Sequence, residues 1–213
     1  MKHFKYAIFD LDGTLLDSMP AWKNLGRDYL LSNGINVPDN LNEIIASMSM
    51  MEAAEYFQKK FNIQISSEKI ISDINKLIEN KYLYEMKLKP YAKEYLNKLK
   101  NENVNICIAT ATSIYLAKAA LERLGVLDCF SFVASCDEVG VGKNKPDIFY
   151  FAANKLNADP VEIAVYDDAD FALITAKEAG FFTIGVFDQS SKDKRENIEA
   201  ICDRYIESFR EFI

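Results

Sequence analysis

Histidine is nearly absent from this 213-residue chain, and no apolar run approaches the roughly 20 residues needed to cross a bilayer. The single histidine is His3, and none of the four cysteines forms a C-x-x-C pair. These absences argue against a zinc site and a transmembrane helix. The first apolar run stops at Asp10, which is too early for a signal peptide. We therefore expect a cytoplasmic protein with reduced thiols and no membrane partner.

Positively charged residues are also fewer than negatively charged ones. The chain has 25 Lys and Arg residues and 32 Asp and Glu residues, which gives a formal net charge of -7. An acidic surface repels a phosphate backbone, so nucleic acid is not an expected partner. A small anionic substrate remains compatible with this charge, since a few local cations can outweigh a diffuse field. Hydrophobic residues make up 49% of the chain, which suffices for a well-buried core. A monomer is the default expectation.

Five short apolar runs predict buried parallel strands. They span residues 6–9, 105–109, 132–134, 163–166 and 183–187. Helical patterns lie between them, at residues 92–100, 114–124, 148–156 and 169–179. Alternation of strand and helix predicts right-handed crossovers and a parallel sheet covered on both faces, which is an α/β fold.

The segment between the first two strands breaks this alternation. It is helical in pattern at residues 21–32, 41–47, 51–61 and 67–83, with loop signals between the pieces. Pro90 marks the return to the α/β pattern. We therefore predict a core domain of residues 1–17 and 88–213, and a small all-α domain of residues 18–87 inserted after the first strand.

Acidic residues follow two of the predicted strands directly. Asp10 and Asp12 come after the first, and their i, i+2 spacing in an extended segment points both to one side. Gly13 permits a sharp turn after this first pair. The second pair, Asp167 and Asp168, follows the fourth strand. Each pair alone is also typical of a solvated turn or a helix cap. Ligands bind at the carboxyl ends of strands in open α/β sheets, so the combination favours a carboxylate site that needs a cation such as Mg²⁺.

Two further segments at the same edge offer phosphate ligands. Thr110 ends the second strand ahead of a helix, where a hydroxyl and free backbone N–H groups can bind an anion, although a helix N-cap is the plain alternative. Lys143 follows Gly142 before another helix start, and it could reach a phosphate as a point charge. A surface position is the alternative for Lys143, and Lys145 is a rival for the same role.

Together these segments resemble the haloacid dehalogenase superfamily of phosphatases, in the branch that contains β-phosphoglucomutase and phosphoglycolate phosphatase. Residues 9–15 (FDLDGTL) resemble its first motif, and Thr110 its second. Residues 142–143, with Pro146 and Asp147 nearby, resemble the third, and residues 167–168 resemble the fourth. The resemblance implies a Rossmann-like (HAD-like) three-layer core with a helical cap over it.

The resemblance also implies a reaction, which is Mg²⁺-dependent hydrolysis of a small phosphorylated metabolite. Asp10 would form an aspartyl-phosphate, and Asp12 would act as general acid and then as general base. Thr110 and Lys143 would hold the phosphoryl oxygens. The implied metal ligands are Asp10, the backbone carbonyl of Asp12, Asp168, and Asp167 either directly or through water.

The implied substrate contacts lie at the first motif, after the second strand and in the cap. Gly13, Thr14 and Ala111 are the predicted contacts from the core, and Trp22 and Met48 those from the cap. Packing between cap and core is the alternative for Met48, and a buried position within a helix is the alternative for Trp22.

The sequence departs from the family pattern at several positions. Asn144 stands where proline is usual, and Ala169 stands where serine is usual, but neither change removes an implied catalytic group. Trp22 stands where sugar-phosphate mutases of this branch carry histidine, and the loop at residues 47–51 lacks an arginine for a second phosphate. Hydrolysis is therefore favoured, and a mutase of the β-phosphoglucomutase type remains the alternative.

Overall fold

A six-stranded parallel sheet forms the centre of the computed structural model, which describes residues 4–213. In chain order the strands are β1 (Tyr6–Phe9), β2 (Asn105–Thr110), β3 (Phe130–Ser135), β4 (Ile163–Asp167), β5 (Phe182–Val186) and β6 (Arg204–Ile206). Their spatial order is β3-β2-β1-β4-β5-β6, so the strand order reverses at β1. A crevice at the carboxyl ends of the strands beside such a switch point is the usual ligand site. His3 lies outside the described residues.

The segment after β1 is helical, as predicted, and forms a cap. Its helices are α1 (Met19–Trp22), α2 (Leu25–Ser32), α3 (Leu41–Ile45), α4 (Met50–Phe61) and α5 (Ser67–Asn80), followed by a π-helical turn at Lys81–Glu85. Helix α5 begins after Ser66, whose hydroxyl accepts a hydrogen bond from the Lys69 N–H. Leu30, Phe57 and Ile70 belong to a hydrophobic cluster made by the cap alone.

Two adjacent links join the cap to the sheet. The Asp17 N–H donates to the Lys87 carbonyl at 3.0 Å, and the Lys89 N–H donates to the Leu15 carbonyl at 2.8 Å. The predicted domain boundaries at residues 17 and 88 fall at this pair of links and remain a prediction.

The remaining helices cover both faces of the sheet. They are α6 (Ala92–Asn101), α7 (Ile114–Arg123), α8 (Asp147–Leu156), α9 (Asp170–Glu178) and α10 (Arg195–Ile201). Because side chains alternate along a strand, Ala7 and Phe9 pack into the cluster that contains α6 and α7, and Ile8 packs against α8 and α9. The fold therefore has three layers, as predicted.

The structure differs from the sequence prediction at two elements. The predicted helix at residues 21–32 is divided into α1 and α2, because Asn24 takes a non-helical conformation and serves as the N-cap position of α2. Strand β6 was not predicted, since it has only three residues at the edge of the sheet and includes the charged Arg204. All four cysteines are free and buried. No helix within residues 4–213 combines the length and the apolar character of a membrane span.

Candidate active site

Three aspartates meet at the carboxyl ends of β1 and β4. These strands pair with Phe9 opposite Tyr166, and the Asp10 N–H donates to the Tyr166 carbonyl at 2.9 Å. This register carries Asp10 to the end of β4, where the strand finishes at Asp167 and is followed by Asp168. One carboxylate oxygen from each aspartate lies within 4.8 Å of the others, and the three residues are at most 7% exposed.

Lys143 supplies the cation of this cluster. It lies in the loop between β3 and α8 and is 6% exposed. Its Nζ atom forms an ion pair with Asp10 Oδ1 and lies 2.8 Å from Asp167 Oδ2. Lys145, the rival in the sequence, is exposed. Of the two lysines, Lys143 therefore provides the buried positive charge.

Burial dominates the electrostatics of the cluster. It raises the pKa of Asp10 to about 7, with Lys143 opposing the rise and Asp167 adding to it. Burial also raises the pKa of Asp168 well above its ordinary value, and Asp167 adds to that shift as well. Burial alone would lower the pKa of Lys143, but Asp10 and Asp167 outweigh it and hold that pKa above its ordinary value. One ammonium cannot balance three ionised carboxylates, so a bound divalent cation would favour the ionised form of these acids.

Gly13 and Thr14 support Asp168 from the turn after β1. Gly13 has φ +84°, and a Cβ atom built on it would lie 2.5 Å from Asp168 Oδ2. Thr14 is fully buried, and its hydroxyl donates to Asp168 Oδ1 at 3.1 Å. The structure therefore places both predicted substrate-binding residues directly against a carboxylate of the cluster.

Thr110 is the last residue of β2, and Ala111 follows it. Strand β2 pairs with β1 on the side opposite β4. Thr110 is buried, and its Oγ1 accepts a hydrogen bond from the Thr112 N–H at 3.0 Å. The N-cap position of α7 belongs to Ser113, so Thr110 is not that helix cap. Ala111 is partly buried against the cluster that α8 and α9 share with the sheet.

Asp12 lies outside the group of three acids and is bound by neutral donors. The Tyr82 hydroxyl donates to Oδ1 at 2.6 Å, and the Thr112 hydroxyl donates to Oδ2 at 2.6 Å. Trp22 Nε1 in turn donates to the Tyr82 hydroxyl at 2.9 Å. Sequence reasoning missed Tyr82 and Thr112. The i, i+2 spacing from Thr110 could have indicated Thr112, whereas nothing local singles out Tyr82, which lies 70 positions from Asp12.

The cap contacts the core beside Lys143. The Gly142 N–H donates to Glu52 Oε2 at 2.8 Å, and a Cβ atom on Gly142 would lie 2.1 Å from the Ser47 carbonyl oxygen and 2.9 Å from the Met48 carbonyl carbon. The predicted cap residue Met48 thus lies next to the loop that carries Lys143. Glu52 was also missed, although the S-x-x-E pattern of a capping box predicts its role at the start of α4.

The chain is similar in sequence to several known proteins. A sequence model of the haloacid dehalogenase-like hydrolases matches residues 4–180. The chain is 30% identical to a β-phosphoglucomutase of Bacillus subtilis over 191 residues, which is 85% of this chain and 83% of the relative. It is 26% identical to a phosphorylated carbohydrates phosphatase of Thermotoga maritima over 193 residues, which is 91% of this chain and 89% of the relative.

A solved structure shares the whole fold. CbbY of Rhodobacter sphaeroides, in complex with phosphate, superposes with a TM-score of 0.84 at 21% sequence identity, covering 99% of this chain and 96% of that chain. The match therefore includes the helical cap as well as the sheet.

Proposed function

Because the chain belongs to the haloacid dehalogenase-like hydrolase family and is a phosphoric monoester hydrolase, we propose that it hydrolyses a small phosphomonoester through an aspartyl-phosphate on Asp10. The observation that carries this proposal is the buried contact of Asp10 with Lys143, beside the two acids of β4. All the proposed catalytic groups come from one chain, so a monomer suffices.

The first half of the reaction transfers the phosphoryl group to the protein. A carboxylate oxygen of Asp10 attacks phosphorus, a new P–O bond forms, and the bond to the ester oxygen breaks. Asp12 gives a proton to the departing oxygen, which leaves as an alcohol. Lys143 and the Thr110 hydroxyl hold the phosphoryl oxygens, and such positioning and charge neutralisation supply most of the catalysis in phosphoryl transfer.

The second half releases phosphate. The Asp12 carboxylate takes a proton from a water molecule, whose oxygen attacks the phosphorus of the aspartyl-phosphate. The bond between phosphorus and the Asp10 oxygen then breaks, inorganic phosphate leaves, and Asp12 is protonated again for the next cycle. Two acids are therefore needed, and Asp10 and Asp12 stand two positions apart with separate hydrogen-bond partners.

The acids of the cluster fit a divalent cation. Carboxylate oxygens are the hard ligands that Mg²⁺ prefers, and Asp10, Asp167 and Asp168 offer three of them with an excess of negative charge. The Asp12 backbone carbonyl is the further proposed ligand, and Asp167 would bind directly or through water. When bound, Mg²⁺ would offset the charge of the incoming phosphate and of the acids around it.

The proposed substrate is a small phosphorylated metabolite, and the cap selects it. Asp10, Thr110 and Lys143 are almost fully buried, and the cap contacts the core beside Lys143, so we expect substrate entry to need movement of residues 18–87 away from the core. Gly13, Thr14 and Ala111 would surround the phosphoryl group, and Trp22 and Met48 would face the leaving group.

The test is phosphate release from a panel of phosphomonoesters that includes sugar phosphates, phosphoglycolate and nucleotides. We expect Mg²⁺-dependent turnover by the wild type, loss in EDTA, and a fall of at least about a thousandfold for Asp10→Asn, since the nucleophile is removed. Asp39→Asn, which changes an exposed acid of the cap, is the matched control and should keep full activity. Full activity of Asp10→Asn, or no turnover of any ester by the wild type, would contradict the proposal.

A sugar-phosphate mutase is the second candidate, favoured by the 30% identity to a β-phosphoglucomutase. A mutase would isomerise a sugar monophosphate in the presence of a sugar bisphosphate without releasing phosphate. NMR of the sugar product, recorded with a phosphate assay on the same sample, separates the two reactions.

A further inference from the structure

Both carboxylate oxygens of Asp12 are bound by neutral hydroxyl groups. Tyr82 donates to Oδ1 and Thr112 to Oδ2, each at 2.6 Å, and the two hydroxyls lie 3.2 Å from each other. Two donors on opposite oxygens fix the rotation of the carboxyl group about its Cβ–Cγ bond. Each oxygen has two lone-pair sites, so each keeps one for a proton, which the carboxyl group can then donate to the ester oxygen of a substrate.

Tyr82 is itself held in place from two sides. Its hydroxyl accepts a hydrogen bond from Trp22 Nε1 at 2.9 Å, which directs its own proton toward Asp12. Its side chain is fully buried, and burial raises its pKa well above the ordinary value, so it remains a neutral donor. Arg123 of α7 donates to the Tyr82 carbonyl at 3.2 Å and to the Met86 carbonyl at 2.6 Å, which ties the π-helical turn to the core.

We propose that Tyr82 and Thr112 are positioning residues that aim the carboxyl group of Asp12 at the ester oxygen of the substrate. The inference rests on the proposed function, because it assigns a task only if Asp12 transfers a proton. Proton transfer needs an alignment that a freely rotating carboxyl group reaches only part of the time. Tyr82 comes from the cap and Thr112 from the core, so this alignment requires contact between the two.

The test compares two esters that differ in their need for a proton. An alkyl phosphate has a poor leaving group and depends on the general acid, whereas p-nitrophenyl phosphate has a good leaving group and hardly does. We expect Tyr82→Phe to lower kcat/KM at least about tenfold on the alkyl ester and by less than about twofold on p-nitrophenyl phosphate, as part of the 10²–10⁴-fold that a general acid contributes. The comparison uses kcat/KM because this constant ends with release of the alcohol, whereas kcat also contains hydrolysis of the aspartyl-phosphate, in which Asp12 acts as base for both esters alike.

Matched variants separate positioning from folding. Tyr95→Phe removes another buried phenol hydroxyl, which is hydrogen-bonded to Tyr166 in the core, and it should leave the ratio of the two kcat/KM values unchanged. Thr112→Val removes the other donor to Asp12 and should reproduce the selective loss. Thr112→Ser keeps the hydroxyl and should restore the wild-type ratio.

An equal fall on both esters for Tyr82→Phe, or no fall on either, would overturn the inference. If Tyr82→Phe does not fold, as judged by circular dichroism, the contrast between Thr112→Val and Thr112→Ser decides. Failure of the proposed function is distinct, since the wild type would then hydrolyse neither ester. A wild type that turns over both esters through Asp10, with no selective loss in the variants, would leave the phosphatase intact and reject Tyr82 and Thr112 as positioning residues.

Discussion

Gly13 combines a left-handed backbone conformation with close contact to the acid cluster. Its φ of +84° disfavours any side chain, and a Cβ atom would lie 2.5 Å from Asp168 Oδ2. We expect Gly13→Ala to push the Asp168 carboxylate away from Asp10 and Asp167, and to lower Mg²⁺ affinity and kcat/KM by at least about tenfold, as outer-shell changes at metal sites do. Isothermal titration with Mg²⁺ and the phosphate assay check this.

Gly34→Ala is the control for backbone strain. Gly34 also has a positive φ, +74°, but a Cβ atom there meets no heavy atom within 4 Å. Both variants carry the left-handed strain of about 1–2 kcal/mol, and only Gly13→Ala displaces a carboxylate. Equal Mg²⁺ affinity in the two variants would refute the role assigned to Gly13.

The site residues that could be predicted from the sequence are those whose neighbours along the chain indicate their chemistry. Asp10 and Asp168 stand at strand ends beside other acids, and the family pattern names them. Tyr82 carries no such signal, because only the packing of the π-helical turn against the core brings it to Asp12. Hydrogen bonds between residues far apart in sequence are therefore the part of the site that pattern reasoning cannot reach.

At the scale of elements, Glu52 joins the start of α4 to the core. Its carboxylate accepts hydrogen bonds from Ser49 N at 2.9 Å and from Gly142 N at 2.8 Å, and the Ser49 hydroxyl completes the capping box. We expect Glu52→Ala to weaken the docking of the cap beside Lys143 and to lower kcat/KM about tenfold, since a hydrogen bond to a charged group contributes roughly 1.5–3 kcal/mol. Steady-state kinetics on the best ester measure the effect.

Ser49→Ala separates the two roles of this carboxylate. It removes the side-chain cap of α4 at a cost of about 1 kcal/mol in stability, but leaves the bond between Glu52 and Gly142. Thermal unfolding should therefore show a loss for both variants, larger for Glu52→Ala because it removes two hydrogen bonds, while kcat/KM falls only for Glu52→Ala. A parallel fall in kcat/KM for both variants would mean that the cap helix, and not the contact with the core, is responsible.

Elements with strong periodicity were predicted, and short ones were not. Strand β1 and helix α8 are found close to their predicted limits, because buried strands and long amphipathic helices carry their pattern in several residues. The break between α1 and α2 depends on one residue, Asn24, and strand β6 has only three residues. Tertiary packing determines whether such short elements form, and a local sequence pattern contains no information about that packing.

For the whole molecule, the buried acids predict a stability that depends on pH and on Mg²⁺. The folded state raises the pKa of Asp10 to about 7, from an ordinary value of 3.8. Between these values the folded state holds a proton that the unfolded state has released, so the free energy of unfolding falls as pH rises. We expect the melting temperature in EDTA to drop by roughly 5 °C between pH 5 and 7.5, and Mg²⁺ to reduce the drop by stabilising the ionised acids.

Asp10→Asn removes this titrating group and also lessens the rise in the pKa of Asp168, to which the Asp10 charge adds. Its melting temperature in EDTA should decline less steeply over the same interval. Asp188 and Asp203, whose pKa values are lowered, stabilise the fold above their ordinary pKa and so add no slope there. A metal-free wild type whose melting temperature is constant or rises from pH 5 to 7.5 would contradict this account.

The hydrogen bond from Trp22 to Tyr82 has a further consequence, because Trp22 is the only tryptophan of the chain. All indole fluorescence therefore originates beside the Tyr82 hydroxyl that binds Asp12. The emission depends on the hydrogen bond of Nε1 and on the half-buried position of the ring. We therefore expect stopped-flow recording of the Trp22 emission to follow the proposed cap movement during turnover without a label.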